Sequence, residues 1–257
     1  PALIYALVYN SSIHGHIDMF HEGERIGNVA GMLHGKIPYR DIYLQHGFFQ
    51  NAIKPFIAMK LFGVSIASDR TMGNTLAQKG LTNPFGYIAV YILALWLFRK
   101  SSVAVLTILL LASVEMTLND RHAVALLSLA FVARYIWSKR DVNLVVAGIF
   151  GGLGIFNSFD TGMFGFISVL LFLAVYVVYL KRHRFRPFFR YGLGFSIGFV
   201  PVAFYLLSVG ALDDFFRVSF LQAAAYQIPT WGVSFPKLDL SMIESIRGFI
   251  DFIASWP

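Results

Sequence analysis

Hydrophobic and polar positions fall along this chain in blocks. A short apolar run from Ala2 to Tyr9 opens it, and a mixed stretch over 11–82 follows. Longer apolar runs then succeed one another at about 84–98, 102–118, 122–137, 142–157, 162–180 and 189–209, with turns of a few residues between them. Runs near the ~17–25 residues that a bilayer-spanning helix needs predict transmembrane helices, and six in succession predict helical hairpins in a bilayer. Residues 1–10 read as the last turns of a further transmembrane helix, so a fragment of a longer protein is expected. The mixed stretch holds two amphipathic pieces. In the first, Glu22, Ile26, Ala30 and Leu33 keep helical spacing with Val29 beside them, while Arg25 and Asn28 point elsewhere. In the second, Phe49, Ala52, Ile53 and Phe56 make an apolar stripe with Gln50, Asn51 and Lys54 off it, and Pro55 kinks the helix. Both resemble interfacial helices lying on a membrane.

Composition points the same way. Hydrophobic residues make up 57% and charged residues only 14%, against roughly 25% charged in ordinary soluble domains. The net charge of +7 does not suggest nucleic acid, because the basic residues sit in short clusters between apolar runs. Arg99-Lys100, Lys139-Arg140 and the run from Lys181 to Arg186 occupy every second loop, so these loops are expected on the cytoplasmic side. The turns Asn119 to His122 and Asn157 to Asp160 then face outward, as do the 11–82 region and the segment after Gly210. With no cysteine, disulfides and Cys-based metal sites are excluded. The expected fold is all-α: a polytopic transmembrane helical bundle forming one membrane domain over 1–257. Residues 1–10 end its first helix, 11–82 form an outer catalytic loop, 83–209 hold six transmembrane helices, and 210–257 form an outer segment with an amphipathic helix.

The outward face collects the candidate chemistry. Asp18, Glu22 and Glu24 are surface acids or catalytic ones; Glu22 falls on the apolar face of its helix, where burial favours a basic carboxylate. Gly23, Gly27 and Gly31 recur at intervals of four and admit close approach of a backbone or ligand. His14, His16, His21, His34 and His46 share the region and, with the acids, leave a divalent metal possible, although no fixed ligand spacing such as H-E-x-x-H is present. Pro38-Tyr39-Arg40-Asp41 is either a turn with a surface ion pair or a guanidinium presented to phosphate. Glu115 is a functional acid near the end of its span or a partner of Arg121 that ties a hairpin. Asp160-Thr161-Gly162 reads first as a helix cap. Gly151-Gly152-Leu153-Gly154 reads as helix packing.

Glu22-Gly23, Ala30, Leu33, Gly35, Pro38-Tyr39-Arg40-Asp41, His46-Gly47, Phe62-Gly63, Ser65 and Arg70, in this order and spacing, resemble the first outer loop of GT-C membrane glycosyltransferases. That class includes protein O-mannosyltransferases and lipid A aminoarabinose transferases. The topology is similar too: one helix, a long outer loop with juxtamembrane helices, then hairpins with short turns. The resemblance implies an inverting hexosyl- or pentosyltransferase. It implies a polyprenyl-phosphate sugar as donor and a lipid, glycan or protein hydroxyl as acceptor. It also implies a multi-pass enzyme in the bacterial inner membrane, working on the outer face among membrane lipids. By position Glu22 takes the place of the catalytic acid, where the family often has Asp, and Asp18 is its rival. His46-Gly47 stands where many members have a Pro-Pro step. Arg40, Asp41, His46, Arg70, Asp120, Arg121 and Asp160 are the candidate substrate-binding residues, the arginines as grips for the leaving phosphate. No cofactor is implied with certainty.

Two other classes compete. A transporter or flippase of a lipid-linked or anionic substrate would use Glu115 and Asp160 as proton relays. Such proteins place polar groups at mid-membrane and show repeated halves, whereas here the polar residues crowd one face. A non-catalytic membrane subunit would use the loop as a protein-binding surface.

Overall fold

The computed structural model describes residues 1–8, 19–61, 82–113, 118–179 and 185–222, with their side chains apart from those of 7–8, 19–25, 58, 61, 113 and 222. Among them every regular element is a helix. In chain order these are α1 (Ala2–Val8), α2 (Met19–Leu33), a π-helical turn (Phe49–Ile53) that runs into α3 (Lys54–Leu61), α4 (Pro84–Phe98), α5 (Ser101–Ser113) and α6 (Asp120–Ser138). Then follow α7 (Asp141–Asn157), α8 (Phe159–Tyr179), α9 (Arg186–Ser208) and a short α10 (Leu212–Phe216). The chain divides into two units, Pro1–Phe215 and Phe216–Pro257. In the second, the described residues form a π-helical stretch, Arg217–Gln222.

Local chemistry sets the helix ends. Asn119, in extended backbone, caps α6 by accepting the Arg121 amide on its Oδ1 at 3.0 Å. Pro84, which has no N–H to lose, stands in the first turn of α4. At their other ends α4 and α6 stop on Arg99 and Lys139, in left-handed backbone at φ of 57° and 54°. Their amides each bond a carbonyl four residues back at 2.9 Å. Glycine usually fills such a cap; here the positive side chain at the negative end of the helix dipole offsets part of the strain.

Among the described residues two helices are long and apolar enough to cross a membrane: α8, with 21 residues and a mean hydropathy of 2.3 over its most apolar window, and α9, with 23 residues and 1.5. At about 1.5 Å per residue each matches a hydrocarbon core of about 30 Å. Neither is mostly buried in the described structure: Phe164, Leu171, Val175 and Val178 on α8 and Phe189, Phe204 and Leu207 on α9 are exposed. The helices of the other runs are too short or too polar to pass the same test. α4, α5 and α7 have 15, 13 and 17 residues. The run 102–118 gives a described helix over Ser101–Ser113, and 114–117 lie outside the described residues. α6 has 19 residues but carries Asp120, Arg121 and Arg134. Arg134 is tolerated because its guanidinium lies 4.8 Å over the Trp96 ring of α4.

α7 lies between α6, α8 and α9. Its glycines make the closest helix contact in the unit. A Cβ on Gly152 would lie 2.7 Å from the Phe199 amide nitrogen and collide with the Phe195 carbonyl, and Gly148 faces Tyr191 and Gly194 in the same way. Small residues thus let the backbones of α7 and α9 touch. Leu144, Ala147, Val169, Leu173 and Tyr191 form the buried centre, and Ser128 Oγ reaches across to donate to the Ala147 carbonyl at 2.8 Å.

The amphipathic pieces bury different faces from those the stripes suggest. In α2, Val29 is fully buried, but Asn28 is buried with it and Leu33 is 38% exposed. In the second piece Asn51, Ala52, Pro55 and Met59 are buried and Ile57 is exposed. The cause is a polar contact. Pro55 has no N–H to give the Asn51 carbonyl four residues back, and that carbonyl accepts from Asn28 Nδ2 at 3.2 Å. Two residues expected to point away from the apolar stripes are what join the pieces.

Candidate functional site

The residues of 35–54 dock onto the turns between helices. Gly47 makes this possible: a Cβ there would stand 2.6 Å from the Asn157 carbonyl oxygen and 2.9 Å from that of Phe156, and its φ is 157°. With only hydrogen in that space, the backbone lies against the α7–α8 turn. The Phe159 amide then donates to the His46 carbonyl at 3.0 Å. The His46 amide in turn donates to Asn51 Oδ1 at 3.1 Å, which holds the bend just before the π-helical turn.

Side chains complete the docking. Lys54 Nζ lies 2.7 Å from Asp120 Oδ2 and donates at 2.7 Å to Gln50 Oε1. Gln50 Nε2 donates to Asn157 Oδ1 at 3.2 Å, and Asn157 Nδ2 donates to the Asp120 and Arg121 carbonyls, each at 3.2 Å. Beside this chain Arg121 bridges the two turns. Its Nε donates to Ser158 Oγ at 2.8 Å and its Nη2 to Asp160 Oδ2 at 2.5 Å. Asp160 Oδ1 accepts from Ser158 Oγ at 2.6 Å and from the Thr161 amide at 2.8 Å, and Thr161 Oγ1 donates to the Arg121 carbonyl at 3.1 Å. Asp160 is therefore both a first-turn helix residue and an ion-pair partner. Next to Arg121, His122 Nδ1 is buried without a hydrogen-bond partner in the described structure.

An aromatic floor joins this network to a second charged pair. Phe215 packs against Tyr39 at 5.1 Å between ring centroids, against Phe156 at 5.0 Å and against Phe159 at 6.1 Å. Tyr39, at φ 67°, is buried in a backbone form that suits glycine better. Burial pushes its phenol well above the ordinary tyrosine range. The turn that imposes this conformation is closed by Asp41: Ile37 N donates to its Oδ2 at 2.8 Å, Tyr39 N donates to Ile42 O at 2.9 Å, and Arg40 donates to both Asp41 oxygens at 3.2 and 3.1 Å. The Arg40 bonds, with the Ile37 amide, hold the Asp41 carboxyl below the usual range. Arg40 Nη1 also donates to the Val209 carbonyl past the end of α9, at 3.2 Å. Arg40-Asp41 is thus a turn with an exposed ion pair, one member of which is anchored to a helix end.

Of the residues singled out in the sequence, His46, Asp120, Arg121 and Asp160 come together, and Arg40 and Asp41 lie across the aromatic floor from them. Glu22 belongs to α2, two turns before Val29 in register, with its side chain outside the described residues. Asp18, Arg70 and Glu115 lie outside them, as do His14 and His16; Arg121 bonds Asp160 and Ser158. Among the described residues no group of three or more His, Asp or Glu side chains is placed to hold a metal ion. Lys54, Gln50, Asn157, Ser158 and Thr161 are parts of the site that the sequence reading passed over. One available signal was the pair of Asn-initiated turns, Asn119-Asp120 and Asn157-Ser158, on what the charge pattern makes the same face. No protein-family model, curated protein or solved structure matches the chain.

Proposed function

We propose that the chain is the membrane part of a glycosyltransferase that moves a sugar from a polyprenyl-phosphate donor to an acceptor hydroxyl. The reaction takes place on the outer face of a bacterial inner membrane, and the bundle is polytopic with further helices beside α8 and α9 crossing the bilayer. The observation that carries this reading is the docking itself. In the loop whose motifs resemble the GT-C outer loop, His46, Gln50 and Lys54 bond the hairpin turns that supply Asp120, Arg121 and Asp160, and Arg40 of Pro38 to Asp41 bonds the end of α9. In this reading Glu22 takes the proton of the acceptor hydroxyl as its oxygen attacks the anomeric carbon. The bond from that carbon to phosphate oxygen breaks, configuration inverts, and Arg40, Arg70 and Arg121 are the candidate cations for the departing polyprenyl phosphate. The charged residues stand at helix tips, which fits a donor whose head group lies at the surface and whose tail stays in the bilayer. It fits less well with a proton relay at mid-membrane, since Asp160 is in the first turn of α8.

The test is a donor assay on the purified full-length protein. A lipid-linked sugar labelled in the sugar should be consumed with release of polyprenyl phosphate, and Glu22→Gln should abolish transfer while membrane insertion is unchanged. Full activity of Glu22→Gln removes the catalytic assignment. Translocation of the intact lipid without transfer replaces the enzyme with a flippase.

A further inference from the structure

The opposite ends of the same helices hold a second arrangement with its own chemistry. There the end of α6 meets the start of α7, and the end of α8 approaches the start of α9, around a cavity of about 520 Å³. Lys139, Arg140 and Arg186 line it together with the Tyr176 hydroxyl end, and Val142, Val177 and Pro187 form its apolar wall. Asp141 is its acid. That carboxylate is committed to α9: Arg186 Nε donates to Oδ2 at 2.8 Å, Arg186 Nη2 also donates to it, and Arg190 Nε stands 3.4 Å away. Lys139 has a neutral partner, donating to Tyr176 Oη at 2.8 Å with its ammonium 5.1 Å over the Tyr176 ring. The Arg140 guanidinium forms no ion pair among the described residues. Two cations at this mouth are therefore not offset by a carboxylate.

We propose that this cavity binds the phosphate head group of an anionic phospholipid. The cations supply the grip for a phosphodiester, and the starts of α7 and α9 add the positive ends of two long helices. The apolar wall, and the exposed Val175, Val178, Tyr179 and Phe189 on α8 and α9, argue for a lipid over free phosphate, since they offer acyl chains a path along the outside of the bundle. Trp137, 55% exposed under the Arg99 guanidinium at 5.1 Å, and Tyr176 are side chains of the kind found at head-group depth. The proposal rests on α8 and α9 lying in a bilayer. It does not depend on sugar transfer, and its test contains no sugar donor.

The experiment is lipid retention by the full chain purified in detergent, titrated with dioleoyl phosphatidylglycerol or dioleoyl phosphatidylcholine and counted by native mass spectrometry. Phosphatidylglycerol should be retained at least about tenfold better than phosphatidylcholine, a margin expected of two nearby cations. Lys139→Gln/Arg140→Gln should lose that preference, while Lys100→Gln keeps it. Inorganic phosphate at millimolar concentration should leave the lipid bound. A photoreactive phosphatidylglycerol on the unaltered chain should label peptides from the end of α6 and the start of α9, a measurement independent of whether the variants fold. Equal retention of both lipids, an unchanged preference in the double variant, displacement by inorganic phosphate, or labelling elsewhere would each overturn the proposal.

Discussion

The contact that decides whether the loop is latched or merely resting on the bundle is Lys54 with Asp120. Both side chains are mostly removed from solvent, at 16% and 15% exposure. Exposed ion pairs contribute about 0.2–1 kcal/mol, and breaking a fully buried one costs about 3–5 kcal/mol. A pair this enclosed, with Lys54 also bonded to Gln50 at 2.7 Å, belongs between, at about 2 kcal/mol. Lys54→Met keeps the aliphatic stem and removes the charge, leaving Asp120 poorly partnered. Local opening of 47–61 should then become easier by about 2 kcal/mol, which is roughly a 30-fold rise in amide hydrogen exchange there. Asp120→Asn should act in the same direction. The double variant Lys54→Met/Asp120→Asn should cost less than the sum of the two, with a coupling energy above about 1 kcal/mol. Exchange would be followed by mass spectrometry on the full chain in detergent, with α8 as the internal reference. Coupling below about 0.5 kcal/mol, or exchange in 47–61 that ignores Lys54→Met, would show that the loop is held by Gly47 and the aromatic floor and that the ion pair is incidental.

Gly47→Ala should undock the same loop by collision with the Asn157 and Phe156 carbonyls, at a cost of at least about 2 kcal/mol from overpacking and positive φ, read as exchange at the Phe159 amide. Gly152→Ala should part α7 from α9 and cost about 1–3 kcal/mol in detergent unfolding. Gly192→Ala, where a Cβ meets nothing within 4 Å, should be neutral or stabilising by about 0.5–1 kcal/mol. In the cysteine-free chain, Lys36→Cys should react with an impermeant thiol reagent from outside and Ser138→Cys only after permeabilisation. The reverse pattern would invert the topology. Ser158 is fully buried, so a thiol at that turn would be a poor probe.

What was legible in the sequence and what was not divides along the range of the forces involved. An apolar run is a local property, and the helices Pro84–Phe98, Asp141–Asn157 and Arg186–Ser208 sit within a few residues of the runs that predict them. The Asn119 cap is equally local. Whether a run makes a membrane-length helix is less so, because a few charged residues within it, such as Asp120, Arg121 and Arg134 in α6, decide how it meets a bilayer. The docking of the loop is not local at all. It joins Gln50 to Asn157 and Lys54 to Asp120, more than sixty positions apart in either case. An apolar stripe through Phe49, Ala52, Ile53 and Phe56 marks Gln50, Asn51 and Lys54 as solvent-facing only if water is what lies opposite. Here the opposite surface is two helix turns with carbonyls and a carboxylate to satisfy, so the polar side is the one that docks. The same reversal buries Asn28, whose amide answers a carbonyl left open by Pro55 twenty-seven residues later. In a chain this apolar, a cluster of amide and amine side chains on a short helix is better read as a search for polar partners on the protein than as a face turned to solvent, and Asp160 fits the same rule. Asp-Thr-Gly suggested a cap at Asp160, but the helix starts one residue earlier at Phe159 and Asp160 stands in its first turn; its bond to Arg121 required the second turn to be brought alongside.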